Sequence, residues 1–94
     1  MFKHVVLFKM HDKSRLSELR ELLLTMPGKI SQIQKIEVGL NLTTRENAYD
    51  VSLIIEVLNP QAINEYLVHP YHQEVVTKIN SLCSHLCAVD YSPL

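Results

Sequence analysis

Hydrophobic and polar residues alternate along residues 2–10, and this period of two predicts a β-strand. The side chains that share one face of that strand are Phe2, His4, Val6, Phe8 and Met10. Over residues 14–26 the period changes to that of an amphipathic helix, which Pro27 and Gly28 end. The apolar stripe of this helix consists of Leu16, Leu19, Leu22, Leu23 and Met26. The chain therefore begins with a strand followed by a helix.

The remaining pattern adds three strands and a second, interrupted helix. Asn59 and Pro60 are a typical N-cap and first helical residue, and Pro70 must interrupt the helix that they begin. The predicted strands are residues 35–41, 49–58 and 86–91. The order β-α-β-β-α-β on a four-stranded, antiparallel sheet predicts a ferredoxin-like α+β sandwich.

The two faces of the predicted sheet differ in composition. The more apolar face is expected to pack on the helices, and it carries Val6, Phe8, Met10, Val51, Leu53, Ile55, Val57 and Val89. The opposite face has an apolar centre made of Val5, Leu7, Ile54, Leu58, Leu86 and Ala88. Around that centre we expect the charged residues Lys3, Lys9, Asp50 and Glu56. An apolar centre with a charged rim is typical of a protein interface, so the pattern predicts a homodimer whose sheets pack face to face.

Charge and composition narrow the classes of partner and compartment. Nine Lys and Arg residues against ten Asp and Glu residues give a formal net charge of −1, which argues against nucleic acid and anionic membranes as partners. No apolar run approaches the roughly 18 residues that span a bilayer, and the N-terminus does not resemble a secretory signal. We therefore expect a cytoplasmic protein. Because no linker or repeat is visible, residues 1–94 are interpreted as a single domain.

Three polar aromatic residues fall on otherwise apolar stripes. His4 alternates in phase with Val6 and Phe8 on the first strand. Tyr66 belongs to the inner apolar stripe of the second helix. His72 shares the inward face of the helical pattern that resumes after Pro70. Buried imidazole and phenol groups need hydrogen-bond partners. One interpretation is a small pocket between sheet and helices, with Val6 and Phe8 among its walls. The other is an ordinary core in which the tyrosine hydroxyl bonds to a histidine.

His69 lies three residues before His72, a spacing that raises the question of a metal site. Pro70 breaks the helix that would align the two imidazoles, and no cysteine or paired carboxylate is near them in the sequence. We expect neither a metal nor a cofactor. His69 itself is interpreted either as a pocket residue or as a group that satisfies backbone carbonyls at a helix end.

Three segments of the chain resemble the stress-responsive A/B barrel domain family. They are residues 4–9, residues 66–72 and residues 89–91. The most specific is the Tyr-x-x-His-Pro-x-His signature that runs from Tyr66 to His72. The resemblance covers nearly the whole chain, and it implies a ferredoxin-like protomer and a dimer in which two sheets form an α/β barrel.

The same resemblance implies roles for the signature residues. Plant polyketide cyclases on this domain use the tyrosine and the last histidine of the signature. By that resemblance His72 would be a general base that abstracts a proton next to a carbonyl, and Tyr66 would donate to the oxygen that gains charge. His4 would help to line the pocket. The aromatic residues of the cyclase pocket are missing here, since the first helix offers Leu22, Leu23 and Met26 and the chain has no Trp.

Three functions remain open on this reading of the sequence. The first is a homodimer that binds a small hydrophobic or aromatic molecule between sheet and helices. The second is an enzyme, either a lyase or cyclase that uses Tyr66 and His72 or, by analogy of fold, a monooxygenase. The absence of Trp and of an axial-ligand environment counts against haem. The third is a structural, stress-linked dimer in which the signature residues only lock the bent helix.

Overall fold

One antiparallel sheet of four strands carries all the helices on one of its faces, in a computed structural model that describes residues 1–94. The strands are β1 (Phe2–Met10), β2 (Lys35–Leu40), β3 (Val51–Val57) and β4 (Cys83–Tyr91). The helices are α1 (Leu16–Leu24), α2 (Pro60–Leu67) and α3 (Pro70–Leu82). The strand order is β2-β3-β1-β4, so β1 and β3 are central. This is the predicted ferredoxin-like α+β sandwich, with its second helix divided into α2 and α3.

Local hydrogen bonds explain why α2 and α3 are separate helices. The Asn59 side chain accepts the backbone N–H of Ala62 at 2.9 Å and begins α2, with Pro60 in its first turn. His69 has extended backbone angles before Pro70, as a residue that precedes proline prefers. Its Nδ1 accepts the backbone N–H of Tyr71 at 3.0 Å and caps α3. The bend expected at Pro70 is therefore a helix end followed by a new N-cap.

The first helix is shorter than the predicted residues 14–26. Two 3₁₀ turns, Lys13–Arg15 and Met26–Gly28, flank α1. The carboxylate of Asp12 begins the first turn by accepting the backbone N–H of Ser14 at 2.9 Å. The second turn places Met26 in the core, where it is buried. None of the helices combines the length and the apolar character that crossing a membrane requires.

The faces of β4 are the reverse of those predicted. Leu86 lies opposite Phe8 and Ala88 opposite Val6, so both are on the helix side of the sheet. Val89 lies opposite Val5 and faces away from the helices. The sequence prediction was wrong here because residues 86–89 are apolar or Cys throughout, and alternation cannot choose a face for them. The strand also begins at Cys83, directly after α3, and its register with β1 shifts between Lys9 and Met10.

The side of the sheet away from the helices, called the outer sheet face below, is apolar at its centre. Val5 on β1 lies between Ile54 on β3 and Val89 on β4. Leu7 follows on the same face and is 37% exposed. Lys3, Lys9 and Glu56 flank this centre, and Leu58, beyond the end of β3, is exposed. No helix covers the outer sheet face.

Asp50 does not belong to the charged rim, contrary to the prediction, because it is buried. Its Oδ2 accepts the backbone N–H of Met10 at 2.7 Å, and its own N–H donates to the carbonyl of Phe8 at 2.8 Å. The Lys13 ammonium lies 3.7 Å from its Oδ1. Because Asp50 precedes β3, the alternation of side chains along that strand does not determine which face the Asp50 side chain is on. It ties the end of β1 to the start of β3.

Replacement of Asp50 by Ala is expected to destabilise the fold by about 1–3 kcal/mol, because the buried N–H of Met10 loses its acceptor. Urea unfolding measures the change. Asp50→Asn keeps an oxygen at the same place and is expected to recover part of the loss. If the Ala variant has the same midpoint urea concentration of unfolding as the native protein, the role given to this carboxylate is wrong.

Candidate functional site

A cavity of about 330 Å³ lies between the helices and the β1–β4 side of the sheet. Pockets that hold small molecules span about 300–1,000 Å³. Eleven of the fourteen residues that line it are hydrophobic, Val6 and Phe8 among them, and the other three are His4, His72 and Asn80. The cavity is therefore an apolar space with a few polar side chains in its wall.

Tyr66 is the centre of the polar part of this wall. It is 1% exposed, and it projects from α2 into the space between the histidines of β1 and α3. The Tyr66 and His72 ring centroids are 4.5 Å apart, and the Tyr66 and His4 centroids are 5.5 Å apart in an edge-to-face arrangement. The three polar aromatic residues that fall on apolar stripes of the sequence thus come together in the structure.

The Tyr66 hydroxyl has a weak hydrogen-bond partner. It donates to the Sδ of Met26 at 3.7 Å and makes no hydrogen bond to either histidine. A thioether sulfur is a poor acceptor, so this contact only weakly satisfies a buried hydroxyl. Burial also raises the pKa of Tyr66 well above its ordinary value, which keeps the hydroxyl protonated. The group is a hydrogen-bond donor with little to bond to.

The hydrogen bond of His72 fixes which ring nitrogen carries the proton. Its Nδ1 lies 3.1 Å from the backbone carbonyl of Leu67, which can only accept, so Nδ1 is the donor. The neutral ring then carries a free electron pair on Nε2. Burial lowers the pKa of His72, and the hydrogen bond to the Leu67 carbonyl offsets only part of this shift. Positive charges on His4 and His69 would lower the pKa further. His72 is therefore neutral near pH 7 and offers a proton acceptor.

His4 is held by an acidic residue that the sequence analysis did not assign. Its Nδ1 bonds to the carboxylate of Asp90, which lies opposite it in the β1–β4 pairing. His4 is buried, whereas Asp90 is exposed at the sheet edge. A carboxylate on Nδ1 fixes the orientation of an imidazole and leaves Nε2 for other partners. The sequence hint for Asp90 was that it belongs to residues 89–91, one of the segments that resemble the family. Only the register of β4 shows that its side chain lies on the same face as His4.

The structure places His69 outside the cavity wall. Its side chain caps α3 by accepting an N–H, so it neither lines the pocket nor donates to carbonyls as the sequence suggested. The cavity instead opens beside β4, where the exposed residues Leu86, Ala88 and Asn80 form part of its wall. The first two were missed because the faces of β4 were predicted in reverse. No three His, Cys, Asp or Glu side chains converge as a metal site would require.

Sequence comparison finds relatives of this chain along almost its entire length. The family model described as Stress responsive A/B Barrel Domain matches residues 2–93. An uncharacterised protein of Streptomyces coelicolor is 33% identical over an alignment that covers 78% of this chain and 80% of that protein.

Solved structures share the same fold. A dimeric protein of unknown function and ferredoxin-like fold from Bacteroides fragilis is 31% identical, with a TM-score of 0.82 over 98% of this chain and 95% of that one. A hydroxynitrile lyase from Passiflora edulis reaches a TM-score of 0.83 over 96% of this chain and 90% of the lyase. Its sequence identity is only 9%, so this second likeness concerns the fold alone.

Proposed function

The chain belongs to the stress-responsive A/B barrel domain family, and from that premise we propose that it forms a homodimer in which each pocket binds a small apolar or aromatic molecule. The observation that carries the proposal is the cavity of about 330 Å³, in whose largely hydrophobic wall the side chains of His4, Tyr66 and His72 converge. Such a combination is typical of small-molecule sites.

The outer sheet face supports the homodimer. Val5, Leu7 and Ile54 form its centre, and charged residues flank them. Burial of apolar surface of this kind stabilises an assembly by about 25 cal/mol for each Å² that is removed from water. The relative from Bacteroides fragilis, 31% identical, is itself dimeric. A second copy that packs its outer sheet face on this one covers both apolar centres and leaves both pockets on the helix sides.

A substitution that fills the pocket tests the binding function. Ala88 lies in the open part of the cavity wall on β4, and the indole of Ala88→Trp is expected to occupy the space. Binding of 2-acetylnaphthalene, a probe of suitable size, should weaken by more than about tenfold. Titration followed by protein NMR shifts measures the dissociation constant.

The matched control is Ser84→Trp, which puts the same side chain on the same strand but outside the cavity wall. This variant should bind the probe as the native protein does. Equal binding by the native protein, Ala88→Trp and Ser84→Trp means that the probe binds elsewhere, and the pocket then loses its proposed role.

A second candidate function is proton abstraction next to a carbonyl, as in a lyase or cyclase. The state of His72 favours it, because the bond from Nδ1 to Leu67 leaves Nε2 as a base and burial lowers the pKa of the ring. The neighbouring Tyr66 hydroxyl is a donor for the oxygen on which negative charge would form. A lyase among the structural neighbours is compatible with this chemistry on the same fold.

A further inference from the structure

We propose that Asn80 is a specificity-determining residue, which recognises a neutral hydrogen-bonding group at the outer end of an elongated ligand. The outer end is the part of the cavity that opens to solvent beside Leu86 and Asn80. The ligand class is then an aryl or alkyl compound that carries a hydroxyl or amide group at this end. The inference rests on the proposed function, because it concerns the same pocket, and it adds the shape and the outer group of the ligand.

The length of the cavity is given by two of its walls. On α3 the cavity is lined by His72 and Asn80, which are eight residues apart. A rise of 1.5 Å per residue separates them by about 12 Å along the helix axis. On β1 the lining runs from His4 to Phe8, four residues that a strand spaces by about 13 Å. A molecule that fills the cavity is therefore elongated.

The connection between α3 and β4 places Asn80 at the open end. The last turn of α3 leads directly into Cys83, which pairs with Met10, so this turn lies near the end of β1. The neighbouring wall residue on β4 is Leu86, which lies opposite Phe8 and is 49% exposed. Asn80 is exposed as well. The outer end of a bound ligand therefore meets both solvent and the Asn80 side chain.

Polar side chains are present at the two ends of the cavity and missing between them. His4, Tyr66 and His72 come together at the buried end, and the lining between the ends is apolar. Asn80 is thus the one polar side chain in the wall of the outer end. A ligand group that can form a hydrogen bond there has a single protein partner.

The chemistry of this end selects the group. No Lys, Arg, Asp or Glu side chain lines the cavity, so a charged group at the outer end has no ionic partner in the wall. The carboxamide of Asn80 offers two N–H donors and a carbonyl acceptor. A hydroxyl or amide group, which also both donates and accepts, is the neutral complement of this side chain.

Two probes isolate the contact with Asn80. 6-Acetyl-2-naphthol carries a hydroxyl group at the end of 2-acetylnaphthalene that is opposite the acetyl group, so the ratio of their dissociation constants measures the contribution of the hydroxyl. We expect the native protein to bind the naphthol about 2- to 10-fold more tightly. Asn80→Leu keeps a side chain of similar size but removes the amide, and the preference should disappear. Titration followed by protein NMR shifts measures both constants.

Asn64→Leu is the matched control, because Asn64 is exposed on α2 and lies outside the cavity wall. This variant should keep the native preference. A change in packing caused by Asn80→Leu alters the binding of both probes equally, so the ratio excludes a merely structural effect. In the native protein, the side-chain amide signals of Asn80 should shift more with the naphthol than with 2-acetylnaphthalene.

The outcomes separate the inference from the proposed function. If the native protein binds both probes equally, Asn80 recognises no group at the outer end, and the inference is wrong while the binding function stands. If the preference for the naphthol persists in Asn80→Leu, the hydroxyl bonds to another part of the pocket, and the inference is wrong again. If neither probe binds the native protein, both proposals fall.

Discussion

The Leu7→Asp variant is expected to sediment as a single chain of 10.8 kDa at micromolar concentration, where we expect the native protein to sediment as a dimer. Leu7 lies on the central strand β1, between Ser52 and Cys87 on the outer sheet face. An unpaired carboxylate in an apolar interface costs several kcal/mol, and each 1.4 kcal/mol weakens association about tenfold. Analytical ultracentrifugation at several concentrations measures the shift.

Leu24→Asp is the matched control for this variant. Leu24 is 46% exposed and Leu7 is 37% exposed, but Leu24 lies on α1, in the helix layer. The control should remain dimeric, and circular dichroism should show both variants folded. A native protein that sediments as a monomer, or a Leu7→Asp variant that stays dimeric, contradicts the proposed interface.

The order of elements could be predicted because it depends on local patterns. Three local patterns each indicate a single kind of element, and the structure has those elements. They are the alternation of residues 2–10, the cap at Asn59 and the interruption at Pro70. The faces of β4 depend instead on the pairing of β1 with the end of the chain. A strand that is apolar on both sides carries no local signal for its register, so Leu86 and Val89 were assigned to the wrong faces.

The convergence of side chains at the candidate site was predictable only in part. His4, Tyr66 and His72 were found because each is a polar group on an apolar stripe, which is visible in the sequence. The contacts of Met26 and Asp90 were not, since a methionine on a helical stripe resembles any core residue, and Asp90 meets His4 across 86 positions of sequence. Partners of this kind are fixed by tertiary packing, which periodicity does not describe.

If the pocket abstracts protons next to a carbonyl, replacement of His72 by Gln is expected to slow proton exchange in a bound ketone by about 10²- to 10⁴-fold. In the native protein His72 Nε2 would take a proton from the methyl carbon of 2-acetylnaphthalene, and negative charge would move to the carbonyl oxygen beside Tyr66. The proton on Nε2 then exchanges with D₂O, and return of a deuteron to the same carbon completes the cycle, with one C–H bond broken and one C–D bond formed. Loss of the methyl signal in proton NMR measures the rate.

The pH dependence follows from the direction of the His72 pKa shift. The neutral ring is the base, and burial lowers its pKa below the ordinary 6.5 of a histidine. The exchange rate should therefore stay high as the pH falls past 6.5, and it should decline only through the lower pKa of the folded protein. Free imidazole in solution, which is protonated at a higher pH, loses its activity earlier.

His69→Gln is the matched control, since it makes the same substitution three residues away and outside the cavity wall. A glutamine oxygen can still accept the Tyr71 N–H that His69 caps, so the fold should be native. The exchange rate should stay close to native, apart from the small change in the His72 pKa that loss of the His69 charge would cause. If the native protein binds the ketone but does not exchange its protons, the chain is a binding protein without this chemistry. If His72→Gln and His69→Gln slow the exchange equally, the effect comes from the helix that both residues support, because a base that acts directly must be the one in the pocket.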